Sequence, residues 1–240
     1  MNYVGRKEYV KWYYDACYGN GKIGKESEAA IKFLVNNATG KVLDCGCGPV
    51  PQIWAICMPD AIEIRAIDLP KESITFVKRQ LSTKNKWYKK FYRYQQTVET
   101  IRGKLPKTYT LDQIKKIASV QQSDMTKKLP FKPAYFDTAM SLYSFGVLKN
   151  TEELDSAIKN ISRVLKKGGK ILHINTNGQN SNTTLPEYTW NGLSQTSETI
   201  LSSLKKHGFT KIKVKKVALK RDPKSTYKYD AISLLSAVKP

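Results

Sequence analysis

Short apolar runs alternate along this chain with stretches in which apolar side chains recur every three or four positions. The first pattern reads as buried strands and the second as helices with one buried face. Ser27 to Asn37 carries Ala30, Ile31 and Leu34 at helical spacing and stops near Gly40. Lys41 to Cys45 reads as a strand, and a glycine turn leads from it into a helix over Pro51 to Met58. Ala61 to Ile67 is the second strand. Lys71 to Leu81 places Ile74, Val77 and Leu81 on one helix face. Ser82 to Ile117 breaks the rhythm and reads as an insertion, with Trp87 to Tyr94 continuing a helix and Leu111 to Ala118 forming another. Ala118 to Gln121, Tyr135 to Leu142 and Lys170 to Asn175 are the third, fourth and fifth strands. A helix over Thr151 to Leu165 has Glu153 and Asp155 near its start and Gly168-Gly169 after its end. Ser194 to His207 is a helix stopped by Gly208. Lys211 to Ala218 and Ala231 to Val238 are two last strands joined by a polar turn around Asp222 to Lys224.

Strands separated by helices imply a parallel sheet covered on both faces. The last two strands are joined by a turn too short for a crossover, so they pair antiparallel. The expected fold is α/β and Rossmann-like: a seven-stranded, mostly parallel sheet with a late antiparallel strand. The 240 residues suit one domain with a substantial core.

The segment Val42 to Pro49 changes this picture from a fold to a site. An apolar strand enters the turn Gly46-Cys47-Gly48, and the second strand ends on Asp68, twenty residues past Gly48. That is the layout of a nucleotide-type cofactor site at the carboxyl ends of parallel strands. Asp44 ends the first strand, Asp124 follows the third, and Ser141-Leu142-Tyr143 ends the fourth. In a doubly wound sheet these ends converge on one crevice. The set suits S-adenosyl-L-methionine. The turn amides accommodate its methionine part, Asp68 accepts from the ribose hydroxyls, and Asp124 accepts from the adenine amine. Carboxylates and tyrosines suit a cationic sulfonium. A mostly parallel sheet with one antiparallel strand is also the architecture of seven-stranded methyltransferases rather than of the all-parallel dehydrogenases.

At these residues the chain resembles the nicotinamide, phenylethanolamine and thioether methyltransferase family. The resemblance rests on Asp44 to Pro49, Glu8 to Tyr14, the insertion before Ser123 to Thr126, and Leu165 to Gly169. It implies that residues 1–25 form a lid in which Tyr9 and Tyr14 cover the cofactor. It places Gly46, Cys47, Asp68, Asp124 and Met125 around that cofactor, and Asp44, Gly48, Leu69, Ser73 and Leu142 complete the expected set. Three positions depart from the family: Ser73 stands where an Asn is common, Gln52 where a Tyr is common, and Asn175 where an acid is expected. Tyr13, Tyr143 and Asn175 are the candidates for lining the acceptor pocket. No residue is assigned as a catalytic base, because an amine that is already neutral needs none.

Composition narrows the partners. Lys and Arg total 41 against 20 acids, a formal net charge of +21. Such a field attracts nucleic acid loosely. No apolar run approaches a membrane span, and Met1 to Asp15 has no apolar core of a secretory leader. The four cysteines match no zinc or redox spacing and read as reduced thiols of a cytoplasmic protein. His173 lies in an apolar strand and reads as core; His207 fits a helix C-terminus. The expected activity is methyl transfer from S-adenosyl-L-methionine to a small molecule, through nitrogen, by in-line displacement. Two readings stay open beside it. One is a nucleic-acid methyltransferase, suggested by the charge and the aromatic-basic Trp87 to Tyr94. The other is a non-catalytic scaffold with the same fold.

Overall fold

The computed structural model describes Val10 and residues 25–82, 92–103, 112–177, 184–185, 188–189, 195–219 and 231–240. In chain order these form α1 (Lys25–Asn37), β1 (Thr39–Cys45), α2 (Pro51–Ile56), β2 (Asp60–Asp68), α3 (Lys71–Ser82), α4 (Tyr92–Ile101) and α5 (Asp112–Lys115). There follow β3 (Ile117–Gln122), β4 (Phe136–Leu142), α6 (Thr151–Val164), β5 (Leu165–Asn177), β6 (Thr184–Leu185), β7 (Tyr188–Thr189), α7 (Ser197–Lys206), β8 (Thr210–Ala218) and β9 (Ala231–Val238).

Seven strands make one sheet in the order β3-β2-β1-β4-β5-β9-β8. β1 to β5 are parallel. β9 runs antiparallel to both β5 and β8 and sits between them. The expected sheet is therefore present, with the antiparallel strand inside it rather than at its edge. Alternation along the strands sends side chains to two cores. Val42, Ile64, Met140, Leu172 and Ile174 pack with Ile31 and Leu34 of α1, Ile53 of α2 and Tyr94 and Val98 of α4. Leu43, Ala139, Ile171 and Leu235 pack on the other face with Leu154, Ile158 and Ile161 of α6 and Ile200 and Leu204 of α7. α3 adds Ile74 and Val77 against Ala66 and Val120.

The order of strands reverses between β1 and β4, and the crevice of such a sheet lies beyond the carboxyl ends at that point. Cys45, Asp68 and Leu142 end β1, β2 and β4 there.

Some boundaries differ from the sequence reading. The helix capped by Gly168-Gly169 instead ends at Val164, with Leu165 already extended. Gly168, at φ +76°, lies within β5, where the register against β4 shifts between Phe136 and Thr138. Asn150 caps the start of α6: its side chain accepts the Glu153 N–H at 2.9 Å. The helix expected over Leu111 to Ala118 ends at Lys115, because Ile117 is taken into β3 beside β2. Tyr92 to Ile101 is helical and is held by Tyr94 and Val98 in the core. The Trp87 to Phe91 stretch, the turn around Asp222 to Lys224, and Tyr9, Tyr13 and Tyr14 lie outside the described residues; Val10 is helical and buried.

Candidate cofactor site

The turn after β1 needs glycine for two different reasons. Gly46 has φ +72° and Gly48 φ +57°, in the left-handed region that L side chains avoid. A Cβ on Gly46 would also overlap the Cβ of Ser144, whereas a Cβ on Gly48 would meet nothing within 4 Å. The first glycine lets the end of β4 approach. The second leaves open space on its Cβ side. The Gly46 and Cys47 N–H groups both donate to the Ile67 carbonyl, at 2.8 and 3.0 Å. This ties the turn to the residue before Asp68. The Cys47 thiol is buried, lies 3.4 Å from the Gly48 carbonyl oxygen, and is pushed well up by burial and by Asp68 and Asp44. That is a packed thiol, not a nucleophile.

Asp44 and Asp68 face the same place. Asp44 is buried, and its Oδ2 has no hydrogen-bond partner. Burial, and then the Asp68 carboxylate, raise its pKa well above the ordinary range. Burial also pushes Asp68 up to about 6, against hydrogen bonds from the Leu69 N–H, the Ser73 hydroxyl and the Gly48 N–H. The Leu69 N–H lies 2.9 Å from Asp68 Oδ1. Ser73, the departure from the family's Asn, thus touches the acid it was expected to sit near. Leu69 itself is 59% exposed, a large apolar side chain beside the acid. Gln52, the second departure, is buried near the turn with Nε2 3.4 Å from the Pro49 carbonyl oxygen.

Asp124 follows β3, whose end is tied to β2 by the Ser123 N–H on the Asp68 carbonyl at 2.9 Å. Its Oδ1 accepts from the Thr126 N–H at 2.9 Å and the Thr126 hydroxyl at 2.7 Å. Oδ2 lies 4.0 Å from Lys127 Nζ. One carboxylate oxygen therefore builds the local turn and the other stays on the surface side. Met125 is half-buried against the α6 core, and its methyl would lie 3.2 Å from a Cβ on Gly46.

At the end of β4, Leu142 is buried and Tyr143 adopts φ +64°. The Tyr143 N–H donates to the Ile174 carbonyl at 2.8 Å, which joins the end of β4 to β5. A tyrosine in this region is strained, and such strain concentrates at functional sites. Asn175 is buried on β5. Its Nδ2 donates to the Gln195 carbonyl at 3.2 Å, while its Oδ1 has no partner. Gln195 in turn donates from Nε2 to the Leu148 carbonyl at 3.1 Å. His173 is buried as expected, and His207 caps the end of α7 beside Asp155, 3.5 Å away.

Ser144 and Gln195 were not visible in the sequence. The Ser144 bond to Cys45 and the Gln195 bond to Leu148 join positions far apart along the chain. The fold does bring the glycine turn, Asp44, Asp68, Ser73, Leu69, Asp124, Met125, Leu142 and Tyr143 to the carboxyl edge of the sheet. Among the described residues no group of histidine, cysteine and acid side chains suits a metal ion. The donor set suits a cation that also carries hydroxyl and amine donors: two neighbouring carboxylates, one with a buried unpartnered oxygen, beside a glycine with open space.

Comparison with known proteins agrees with that chemistry. A family model described as methyltransferase domain matches residues 43–173, more than half of the chain. No curated protein matches the sequence. Among solved structures, a Haloferax volcanii protein described as a putative methyltransferase, in complex with the Trm112 methyltransferase activator, is 15% identical. The match covers 98% of this chain and 99% of that one, with a TM-score of 0.62. A Haemonchus contortus phosphoethanolamine N-methyltransferase 2, in complex with S-adenosyl-L-methionine, is 17% identical at a TM-score of 0.62, over 98% of this chain and 57% of that one. A Thermotoga maritima S-adenosylmethionine-dependent methyltransferase, possibly acting on histamine, is 14% identical at a TM-score of 0.59, over 97% and 95%. The fold, the matched segment and the acid-lined glycine turn coincide, and the chain belongs to the methyltransferase-domain family, with S-adenosyl-L-methionine as its cofactor.

Proposed function

We propose that this protein methylates a small molecule, through nitrogen, and that the crevice between the ends of β1, β2, β4 and β5 is where it does so. The observation that carries this reading is Asp68, held beside the glycine turn by Leu69, Ser73 and Gly48. When bound, S-adenosyl-L-methionine supplies a methyl group on a sulfonium, open to direct in-line displacement by an acceptor lone pair. The chain contributes placement. Asp68 accepts from the ribose hydroxyls, and the exposed Leu69 gives the adenine an apolar contact. The unpartnered Asp44 oxygen accepts from the turn side of the ligand, and the outer oxygen of Asp124 from the adenine amine.

Asn175 supports the acceptor assignment. Its amide nitrogen is committed to Gln195, which leaves a buried carbonyl oxygen able to take one N–H or O–H. A neutral amide in place of an acid suits a neutral donor better than a fixed cation. The strained Tyr143 backbone, at the neighbouring strand end, forms the other wall. Tyr9 and Tyr14 would close over the cofactor from the N-terminal segment, with Tyr13 toward the acceptor, which would exclude water and complete the site. Two of the fold neighbours carry N-methyltransferase names, which is consistent with nitrogen as the acceptor atom. The narrower likeness to the nicotinamide, phenylethanolamine and thioether enzymes belongs to this proposal as well.

A radiolabelled-cofactor assay tests it. The panel compares small amines, pyridines and thiols with total RNA and DNA. Label is expected in one or more nitrogen acceptors and in neither nucleic acid. Label in RNA at physiological salt, with none in the small molecules, would overturn the reading.

A further inference from the structure

Behind the glycine turn runs a chain of hydrogen bonds whose directions are fixed by chemistry alone. Ser144 Oγ lies 2.5 Å from the Cys45 carbonyl oxygen. A carbonyl only accepts, so the Ser144 proton is committed there. Ser141 Oγ lies 2.7 Å from Ser144 Oγ and must donate to it. The same Ser141 oxygen accepts the Phe145 N–H at 3.1 Å. His173 Nδ1 stands 2.7 Å from the Ser141 carbonyl oxygen and 3.2 Å from Ser141 Oγ. Both oxygens offer it only lone pairs, so Nδ1 carries the ring proton. Nε2 is then a bare lone pair, buried and without a partner. Burial pushes the ring down to about 4, against the Ser141 bond, which leaves it neutral at neutral pH. Phe145 stacks on it at 5.0 Å between centroids.

This chain ends on one peptide unit. The Cys45 carbonyl is held by Ser144, and the N–H of the same unit, on Gly46, is held by the Ile67 carbonyl. A peptide is planar and rigid, so fixing both polar ends fixes its rotation. We infer that Ser144 is a positioning residue. Backed by Ser141 and by His173 in its Nδ1-protonated form, it sets the orientation of the glycine turn and so the cofactor's place relative to the acceptor pocket. The inference rests on the proposal that the cofactor lies on that turn. Placement is what a displacement reaction needs most, since a shift of about 1 Å at the reacting atoms costs on the order of a hundredfold in rate.

The experiment measures S-adenosylhomocysteine affinity by calorimetry for the parent and for Ser144→Ala, Asp68→Ala, His173→Asn and His173→Gln, with a melting curve for each. Ser144→Ala removes one hydroxyl donor and nearly no volume. It should weaken binding by up to about tenfold, the worth of one net hydrogen bond. The two histidine variants lose the stacked ring alike. Asn keeps an N–H near the place of Nδ1, whereas Gln puts it near the place of Nε2. His173→Asn should therefore stay near the parent in affinity while His173→Gln follows Ser144→Ala. Nitrogen-15 spectra of the parent ring should show Nδ1–H and an unprotonated Nε2, with no titration between about pH 5.5 and 8. An Nε2–H tautomer would overturn the network. Equal effects of the two histidine variants would reduce it to packing. If Asp68→Ala weakens binding and Ser144→Ala does not, the positioning role falls alone. If neither weakens binding, the cofactor's placement falls and takes the inference with it.

Discussion

A carboxyl that titrates at about 6 makes Asp68 a pH-dependent ligand of the ribose. Hydroxyls donate to the carboxylate, so binding favours the ionised form, and protonation opposes it. Affinity for S-adenosylhomocysteine should be flat above about pH 7 and fall below about pH 6, approaching tenfold per pH unit. Asp68→Asn has nothing to titrate there and should bind weakly throughout, without that step. Calorimetry across the range checks both curves. The glycine turn gives a second contrast. Gly46→Ala meets Ser144 in addition to a positive φ, so it should lower the melting temperature and abolish binding. Gly48→Ala meets only the backbone penalty of about 1–2 kcal/mol. It should fold nearly as well as the parent, yet lose affinity because its methyl fills the open side of the turn. Paired melting and binding curves separate the two effects. These residues were legible because turn chemistry is local: two glycines after a strand, and an acid at the end of the next. Ser144 was not legible, because its contact with Cys45 joins positions 99 residues apart.

At the scale of elements, periodicity located the five parallel strands and the helices α1, α3, α6 and α7. It failed where tertiary contact overrides local pattern. Gly168-Gly169 looks like a helix cap, but the Tyr135 N–H donates to the Val164 carbonyl at 2.8 Å and Phe136 pairs with Leu165. Pairing with β4 therefore begins before the glycines are reached. Between β2 and β3 the sequence is helical in composition, and burial of Tyr94 and Val98 decides which face of α4 packs inward. The N-terminal segment is the element proposed to close the acceptor pocket. Val10 is helical and only 2% exposed, so at least this part of the segment is packed. A variant lacking Met1 to Tyr18 should keep a cooperative melt and the circular dichroism of an α/β protein while losing methyl transfer. Full turnover by that truncation would make Tyr9 and Tyr14 packing residues.

Over the whole molecule, charge and topology are separate facts. The net charge of +21 coexists with a site lined by Asp44, Asp68 and Asp124, so the positive field comes from elsewhere. One source is β8, the edge strand, where Lys211, Lys213, Lys215 and Lys216 are all exposed. Lysines on an edge also discourage pairing with another sheet. Four such contacts to phosphates predict loose RNA binding that falls on the order of a hundredfold between about 50 and about 200 mM salt. Filter binding across that range checks it, and a slope near zero would deny these lysines any part. The position of β9 has a consequence of another kind. β8 is made before β9 on the growing chain, yet among the described residues β9 is its sole neighbour in the sheet and the neighbour that covers β5. Until residue 231 has left the ribosome, β5 exposes an apolar open edge and β8 has nowhere to dock. The second half of the sheet therefore closes in a single late event, and a stalled or shortened product would present two unsatisfied strands to the quality-control machinery at once.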